Sequence, residues 1–296
     1  ARGHLHAAML DMKQSWDALV AQHAPDRATA EAILANPLYD NITSRFIASH
    51  DYIAMERLFE LHGEGRYDLI VVDTPPSRSA LDFLDAPARM EEFFSSRLLR
   101  WIIAPYRNRL VGMASKPFAQ VADRILGAQF LADIAQFFIL FQSMYDGFVA
   151  RAASVSRLLA DERCAFVVVS TGEPVPAREA GFLVGELARR DLKLGAIVAN
   201  RMLPESLTDP EMLEGARQLA ARSDELAASF GLDERVVRVT TAELASSLED
   251  FARLAQRERA EREGLANLGE VTALPYLAEE VTDLDALLRL GRAALS

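Results

Sequence analysis

The stretch that decides the fold prediction is Arg66-Tyr-Asp-Leu-Ile-Val-Val-Asp-Thr-Pro-Pro-Ser-Arg-Ser-Ala-Leu-Asp-Phe-Leu84. Its apolar run, Leu69–Val72, has the length of a buried strand and ends on Asp73, before Pro75 and Pro76 interrupt it. Nucleotide-hydrolysing folds keep a carboxylate that orients Mg²⁺ at the carboxyl end of such a strand. The residues alone leave two interpretations open: a strand with a metal-orienting Asp73, or a strand followed by a capped turn.

Three later apolar runs also read as strands: Ala165–Val169, Leu194–Ala199 and Val236–Val239. Each is followed by a polar residue, namely Ser170, Asn200 and Thr240. Helical patterns at Pro176–Arg190 and Asp209–Phe230 separate these runs. Alternation of strands and helices with near-continuous apolar strands predicts an α/β fold, a parallel sheet covered by helices on both faces. Ligands of such sheets bind at the carboxyl ends of the strands, where the polar residues fall.

A long interval lies between Val72 and Ala165, although a crossover connection needs only about a dozen residues. Its helical pattern and many large apolar residues predict a helical subdomain inserted at roughly Ala86–Ala150. Its aromatic residues either fill a helical core or line an apolar groove for a partner. The stretch Phe130–Val149 carries too many polar groups for a membrane span, so we interpret it as a buried or groove-lining helix.

Composition excludes several function classes. The chain has 296 residues, half of them hydrophobic, and a net charge of −11, which argues against nonspecific binding to nucleic acid or anionic membranes. A single cysteine, Cys164, excludes an intramolecular disulfide and any multi-cysteine metal site, and fits a reducing cytoplasmic location. No metal-binding histidine motif and no phosphate-binding glycine loop is present in the sequence.

Four segments resemble motifs of the ArsA-type ATPases, a family that includes the arsenite-pump ATPase and the targeting factor for tail-anchored membrane proteins. Tyr67–Leu84 closely resembles the switch II segment, and His6–Lys13 resembles the stretch that follows switch I in the bacterial branch. Ile197–Arg201 is similar to the strand-end Asn motif that reads adenine, and Ala273–Leu287 to the carboxyl-terminal loop and helix that cover it. The match is collinear along almost the whole chain, which is therefore identified as a member of this family.

The resemblance implies a P-loop NTPase fold of the deviant-Walker type, as one ATPase-like domain over 1–296 with the helical insertion. It also implies a homodimer that binds ATP and Mg²⁺ at the subunit interface. By matching position, Asp73 would be the catalytic carboxylate that holds Mg²⁺, and Asn200 would hydrogen-bond adenine. The switch residues that sense the γ-phosphate would be Thr74, Pro75, Pro76, Ser77 and Ser79. The residues that pack around the base would be Arg201, Pro275 and Tyr276.

The sequence also departs from the family pattern. The family's phosphate loop and switch I precede the segment at which this chain starts, so we expect the first strand–loop–helix unit to be missing and this chain alone to be inactive. We expect the parent protein to bind and hydrolyse ATP. Ser79 stands where many relatives carry His, and the single Cys164 leaves no counterpart for the family's zinc clamp or its arsenite-binding cysteines.

Three functions remain as hypotheses. The first is an ATPase whose nucleotide-driven conformational change moves the helical subdomain, which handles an apolar helical client or a membrane-protein partner. The second is a nonenzymatic binding module that uses the apolar insert. The third is a relative that partitions DNA or regulates division through the same ATPase core, which the acidic charge and the lack of a basic stripe disfavour.

Overall fold

The computed structural model describes residues 3–39, 47–74 and 128–294, together with the single positions Asp85, Glu92 and Arg97. The chain divides into two compact units, Ala1–Asp161 and Glu162–Ser296. The predicted single domain with a subdomain inserted at 86–150 stays a prediction, because most of that interval lies outside the described residues. No helix in the described ranges has the length and apolar character needed to cross a bilayer.

The described part of the first unit is helical. Its helices are α1 (Met12–His23), α2 (Arg27–Leu34), α3 (Ile47–Gly63), α4 (Ala128–Gln142) and α5 (Tyr145–Leu159). Aspartates begin the first two helices: the carboxylate of Asp11 accepts from the backbone N–H of Gln14 at 2.9 Å, and that of Asp26 from Thr29 at 2.7 Å. These bonds satisfy N–H groups that have no partner inside the helix. The bond from Thr29 also lowers the pKa of Asp26.

Aromatic side chains fill the core of this unit. Trp16 of α1 stacks on Tyr52 of α3 with ring centroids 5.9 Å apart, and Phe141 of α4 stacks on Phe137 and on Phe148 of α5 at 5.4 and 5.0 Å. Each of these five side chains is buried. The core interpretation of the Phe130–Val149 stretch is therefore confirmed for its Phe137, Phe141 and Phe148. The aromatic residues of the interval at positions 93–118, for which a helical core or a groove was predicted, lie outside the described residues.

The second unit contains a parallel sheet whose strands run in the order β1-β2-β3. Its elements are β1 (Phe166–Thr171), α6 (Pro174–Arg189), β2 (Leu194–Met202), a 3₁₀ turn (Glu205–Thr208), α7 (Pro210–Ala221), α8 (Ser223–Phe230), α9 (Glu234–Ala266), β3 (Val271–Pro275) and α10 (Leu284–Ala294). The predicted α/β class with a parallel sheet is confirmed, and α6 forms the predicted crossover. Along β1 the burial alternates: Val168 is buried, whereas Val167 and Val169 on the other face are 57% and 63% exposed.

The predicted strand Val236–Val239 is wrong, because these residues lie in the 33-residue helix α9. Asp233 caps that helix by accepting from the backbone N–H groups of Arg235 and Val236 at 2.9 and 3.1 Å. A run of four residues, three of them valine, fits both a strand and a helix segment, and here the cap and the packing against α7 and α8 favour the helix. Thr240 therefore does not belong to the edge of the sheet.

Two smaller corrections concern neighbouring elements. The helix predicted over Asp209–Phe230 breaks at Arg222 into α7 and α8. The strand β3 (Val271–Pro275) is not among the predicted strands, because it is short and its last three residues fall in the segment that resembles the family's carboxyl-terminal loop.

The predicted strand Leu69–Val72 is also wrong. The segment has no strand assignment, and Leu69 and Val71 are 78% and 82% exposed. A strand needs a neighbour to hydrogen-bond its backbone, and no strand among the described residues pairs with this segment. The apolar run therefore has no regular secondary structure and no ladder with a described strand.

Candidate nucleotide-base site

The site is built on the carboxyl edge of the sheet, where β1 and β2 end side by side. Thr171, the last residue of β1, pairs in register with Asn200 of β2. Residues that pair in register on neighbouring strands project from the same face, and the strands lie about 4.8 Å apart. The predicted adenine-reading Asn200 is therefore at the carboxyl edge, as the sequence indicated, with Thr171 as its neighbour.

A bulge in β2 shapes the backbone next to Asn200. The register with β3 shifts between Ala199 and Met202, and Arg201 has a φ of 60°. This left-handed conformation is uncommon for a residue with a side chain and costs of order 1–3 kcal/mol, so it persists only where the surroundings impose it. Beyond the bulge, Met202 pairs with Pro275, and its carbonyl accepts from the N–H of Tyr276 at 2.7 Å.

The bulge and the end of β3 bring two flat side chains together. The guanidinium carbon of Arg201 lies 5.4 Å from the centroid of the Tyr276 ring, within the range of a cation–π interaction. Both side chains are exposed, and Tyr276 is 49% exposed. Planar groups of this kind stack on aromatic bases. Asn200, Arg201, Pro275 and Tyr276 thus lie at one edge of the sheet, and their role around a base stays a prediction.

Thr171 is a residue of this edge that the sequence analysis missed. Its hydroxyl oxygen is buried and has no hydrogen-bond partner among the described residues. A buried polar atom without a partner costs about 1–3 kcal/mol. The sequence analysis named Ser170 instead, but Ser170 is buried and its hydroxyl donates to the carbonyl of Thr171 at 3.2 Å. Only the strand register distinguishes the two hydroxyls.

The long helix α9 packs against both strand ends. A carboxylate oxygen of Glu258 accepts from the backbone N–H of Leu203 at 2.8 Å, one residue after β2. At the end of β1, Gly172 comes so close to this helix that a Cβ there would lie 2.6 Å from Cβ of Glu258. Glu258 therefore fixes the chain that leaves β2, and Gly172 is required by the close approach.

The predicted switch segment is described only at its start. Asp73 and Thr74 are exposed and without regular secondary structure, and Pro75, Pro76, Ser77 and Ser79 lie outside the described residues. Within the described ranges, no group of three His, Cys, Asp or Glu side chains could hold a metal ion. The described residues therefore contain no built site for Mg²⁺, and the roles of Asp73 and of the base-site residues stay predictions.

Comparisons with known proteins point to the same family as the motifs. The family model described as anion-transporting ATPase (ArsA ATPase) matches residues 8–243. An uncharacterized protein of Streptomyces coelicolor is 30% identical over 151 residues, which is 50% of this chain and 34% of that protein. The chain thus matches about one third of the length of that relative. Because the family model covers well over half of the chain, the chain belongs to the ArsA family of anion-transporting ATPases.

Proposed function

We propose that this chain forms the base-binding part of an ArsA-type ATPase, which hydrolyses ATP to change the conformation of its helical subdomain. The observation that supports the proposal best is the convergence of Asn200, Arg201, Pro275 and Tyr276 at the carboxyl edge of the sheet. The family uses ATP and Mg²⁺ in general. Hydrolysis of the bound nucleotide supplies the free energy for the conformational change.

The chain's own residues would orient the base. The amide of Asn200 carries both a donor and an acceptor, and this pair matches the amine and the ring nitrogen of adenine. Arg201 and Tyr276 offer planar faces against which the base can pack. Backbone constraints hold these groups in place before the nucleotide arrives, namely the bulge and the bond between Tyr276 and Met202. Such preorganisation reduces the entropic cost of binding.

The base site is tested by nucleotide binding to the product of the complete reading frame that contains this chain. We expect Asn200→Ala to weaken ADP binding by about tenfold, the range for loss of paired hydrogen bonds. Asn267→Ala is the matched control, because Asn267 is an exposed amide that follows α9. Equal affinities of wild type and Asn200→Ala would contradict the proposed base site.

The role of Asp73 needs a separate measurement, because its surroundings are described only in part. We expect Asp73→Ala to abolish ATP turnover, since the family's switch carboxylate orients the metal. Asp68→Ala is the control, an exposed aspartate five residues earlier in the same irregular segment. Equal, non-zero turnover of wild type and Asp73→Ala would remove Asp73 from the mechanism.

The finer parts of the proposal come from the resemblance: a homodimer, a cytoplasmic location, and an apolar helical client or membrane-protein partner. They are tested by the oligomeric state with and without ATP and by client capture. The nonenzymatic binding module stays the alternative, and it predicts client binding without any ATP turnover by the complete reading frame. The burial of Phe137, Phe141 and Phe148 removes these three rings from any such binding surface.

A further inference from the structure

The hydroxyl of Thr171 stands out because it is buried and has no hydrogen-bond partner in the described part of the chain. Buried polar atoms of native proteins are nearly always paired with protein, ordered water or a ligand. Thr171 is also the last residue of β1, at the sheet edge where ligands of parallel α/β folds bind. The position of this hydroxyl therefore calls for a partner from outside the described chain.

The register of the sheet indicates what that partner is. Thr171 pairs with Asn200, so the two side chains project from the same face of strands that lie about 4.8 Å apart. The neighbouring hydroxyl of Ser170 lies on the other face and is already bonded to a carbonyl. The residue after Asn200 in this strand is Arg201, whose guanidinium lies over the ring of Tyr276.

We propose that the Thr171 hydroxyl hydrogen-bonds the bound base beside Asn200, and that it is a specific ligand contact of this site. This inference rests on the proposed function, since it assigns a further residue to the same base site. A hydroxyl suits the position because it both donates and accepts, so it can bond whichever group the base presents next to the amide. Within the described part of the free chain this hydroxyl has no partner, so its removal should weaken binding and leave the fold intact.

The test therefore measures two quantities, the affinity for ADP and the stability of the free protein, and only the affinity should fall. Thr171→Val keeps the shape and removes the hydroxyl, so we expect about three- to tenfold weaker ADP binding by the complete reading frame, the range for one neutral hydrogen bond. The urea midpoint of the free protein should be unchanged or higher, because a buried unpaired atom is removed. Thr171→Ser should restore ADP affinity, and Ser170→Ala should leave it at the wild-type value.

Tripolyphosphate serves as the second probe, because it has phosphates and no base. Its affinity should be the same for wild type and Thr171→Val. Wild-type ADP affinity in Thr171→Val overturns the inference, and so does an equal loss for ADP and tripolyphosphate. If Asn200→Ala weakens ADP binding and Thr171→Val does not, the inference fails alone. If wild type does not bind ADP, or if Asn200→Ala binds ADP as well as wild type does, both the proposed base site and this inference fail.

Discussion

A buried ion pair joins α3 and α5 in the first unit, and it makes the stability of this unit depend on pH. Nε of Arg151 lies 2.8 Å from both carboxylate oxygens of Glu56, and the hydroxyl of Tyr52 donates to the same carboxylate. The side chains of Glu56 and Arg151 are only 5% and 14% exposed. Burial raises the pKa of Glu56 to about 7, against the lowering effect of Arg151 and with a smaller raising effect from Glu60.

The direction of the pH effect follows from proton binding. Because the pKa of Glu56 is raised in the folded state, the folded chain holds this proton more tightly than the unfolded chain between its ordinary value of 4.5 and about 7. The stability of the unit therefore falls as the pH rises through this window. A shift from 4.5 to about 7 corresponds to about 3 kcal/mol, at about 1.4 kcal/mol for each pKa unit.

Glu56→Gln removes the titration and keeps the shape of the side chain. We expect the free energy of unfolding of wild type to fall by about 3 kcal/mol relative to Glu56→Gln between about pH 5 and pH 8. His23 acts in the opposite direction, because burial and Arg151 lower its pKa. The comparison with Glu56→Gln cancels the contribution of His23, which both proteins share.

Urea unfolding followed by tryptophan fluorescence measures this difference. The chain has two tryptophans, so the experiment uses a Trp101→Phe background in which Trp16 reports the core of the first unit. Glu31→Gln is the control, because Glu31 is an exposed partner of Arg27 on α2. The same pH dependence in wild type and Glu56→Gln would refute the reasoning, since the pH effect would then come from other groups.

The remaining predictions concern the base site. Gly172→Ala should lower the free energy of unfolding of the second unit by about 1–3 kcal/mol in urea, because the added Cβ would lie 2.6 Å from Cβ of Glu258 and the helix must shift; an unchanged midpoint would contradict the close approach. Arg201→Gly should be about 1 kcal/mol more stable than Arg201→Ala, because only the alanine keeps the left-handed strain. Tyr276→Ala should weaken ADP binding by about three- to tenfold, as titration would show, because the base loses its stacking face.

The sequence predicted the strands of the sheet correctly where the apolar run and its flanking residues fit only a strand. The apolar runs before Ser170 and Asn200 are long, and each is followed by turn residues and a helical pattern, so β1, β2 and α6 were predicted correctly. The run Val236–Val239 holds only three valines beside Arg238, and a run of four residues fits either period. The cap at Asp233 and the contacts of α9 decided in favour of the helix.

Leu69–Val72 forms no strand because no described strand lies beside it to pair with its backbone. Apolar character predicts burial, but a strand exists only when a neighbour completes its hydrogen bonds, and no described strand does so here. Whether a segment has a pairing partner cannot be read from the segment itself.

By itself the sequence determined the family and the parallel α/β class, and it named most residues of the proposed base site, because local motifs carry that information. Tertiary structure alone decided how the site is assembled. Residues 201 and 276 are far apart in sequence, and they meet because β2 and β3 pair across the bulge at Arg201. The orphan hydroxyl of Thr171 has the same origin, since strand register sets which face a side chain occupies and whether it finds a partner.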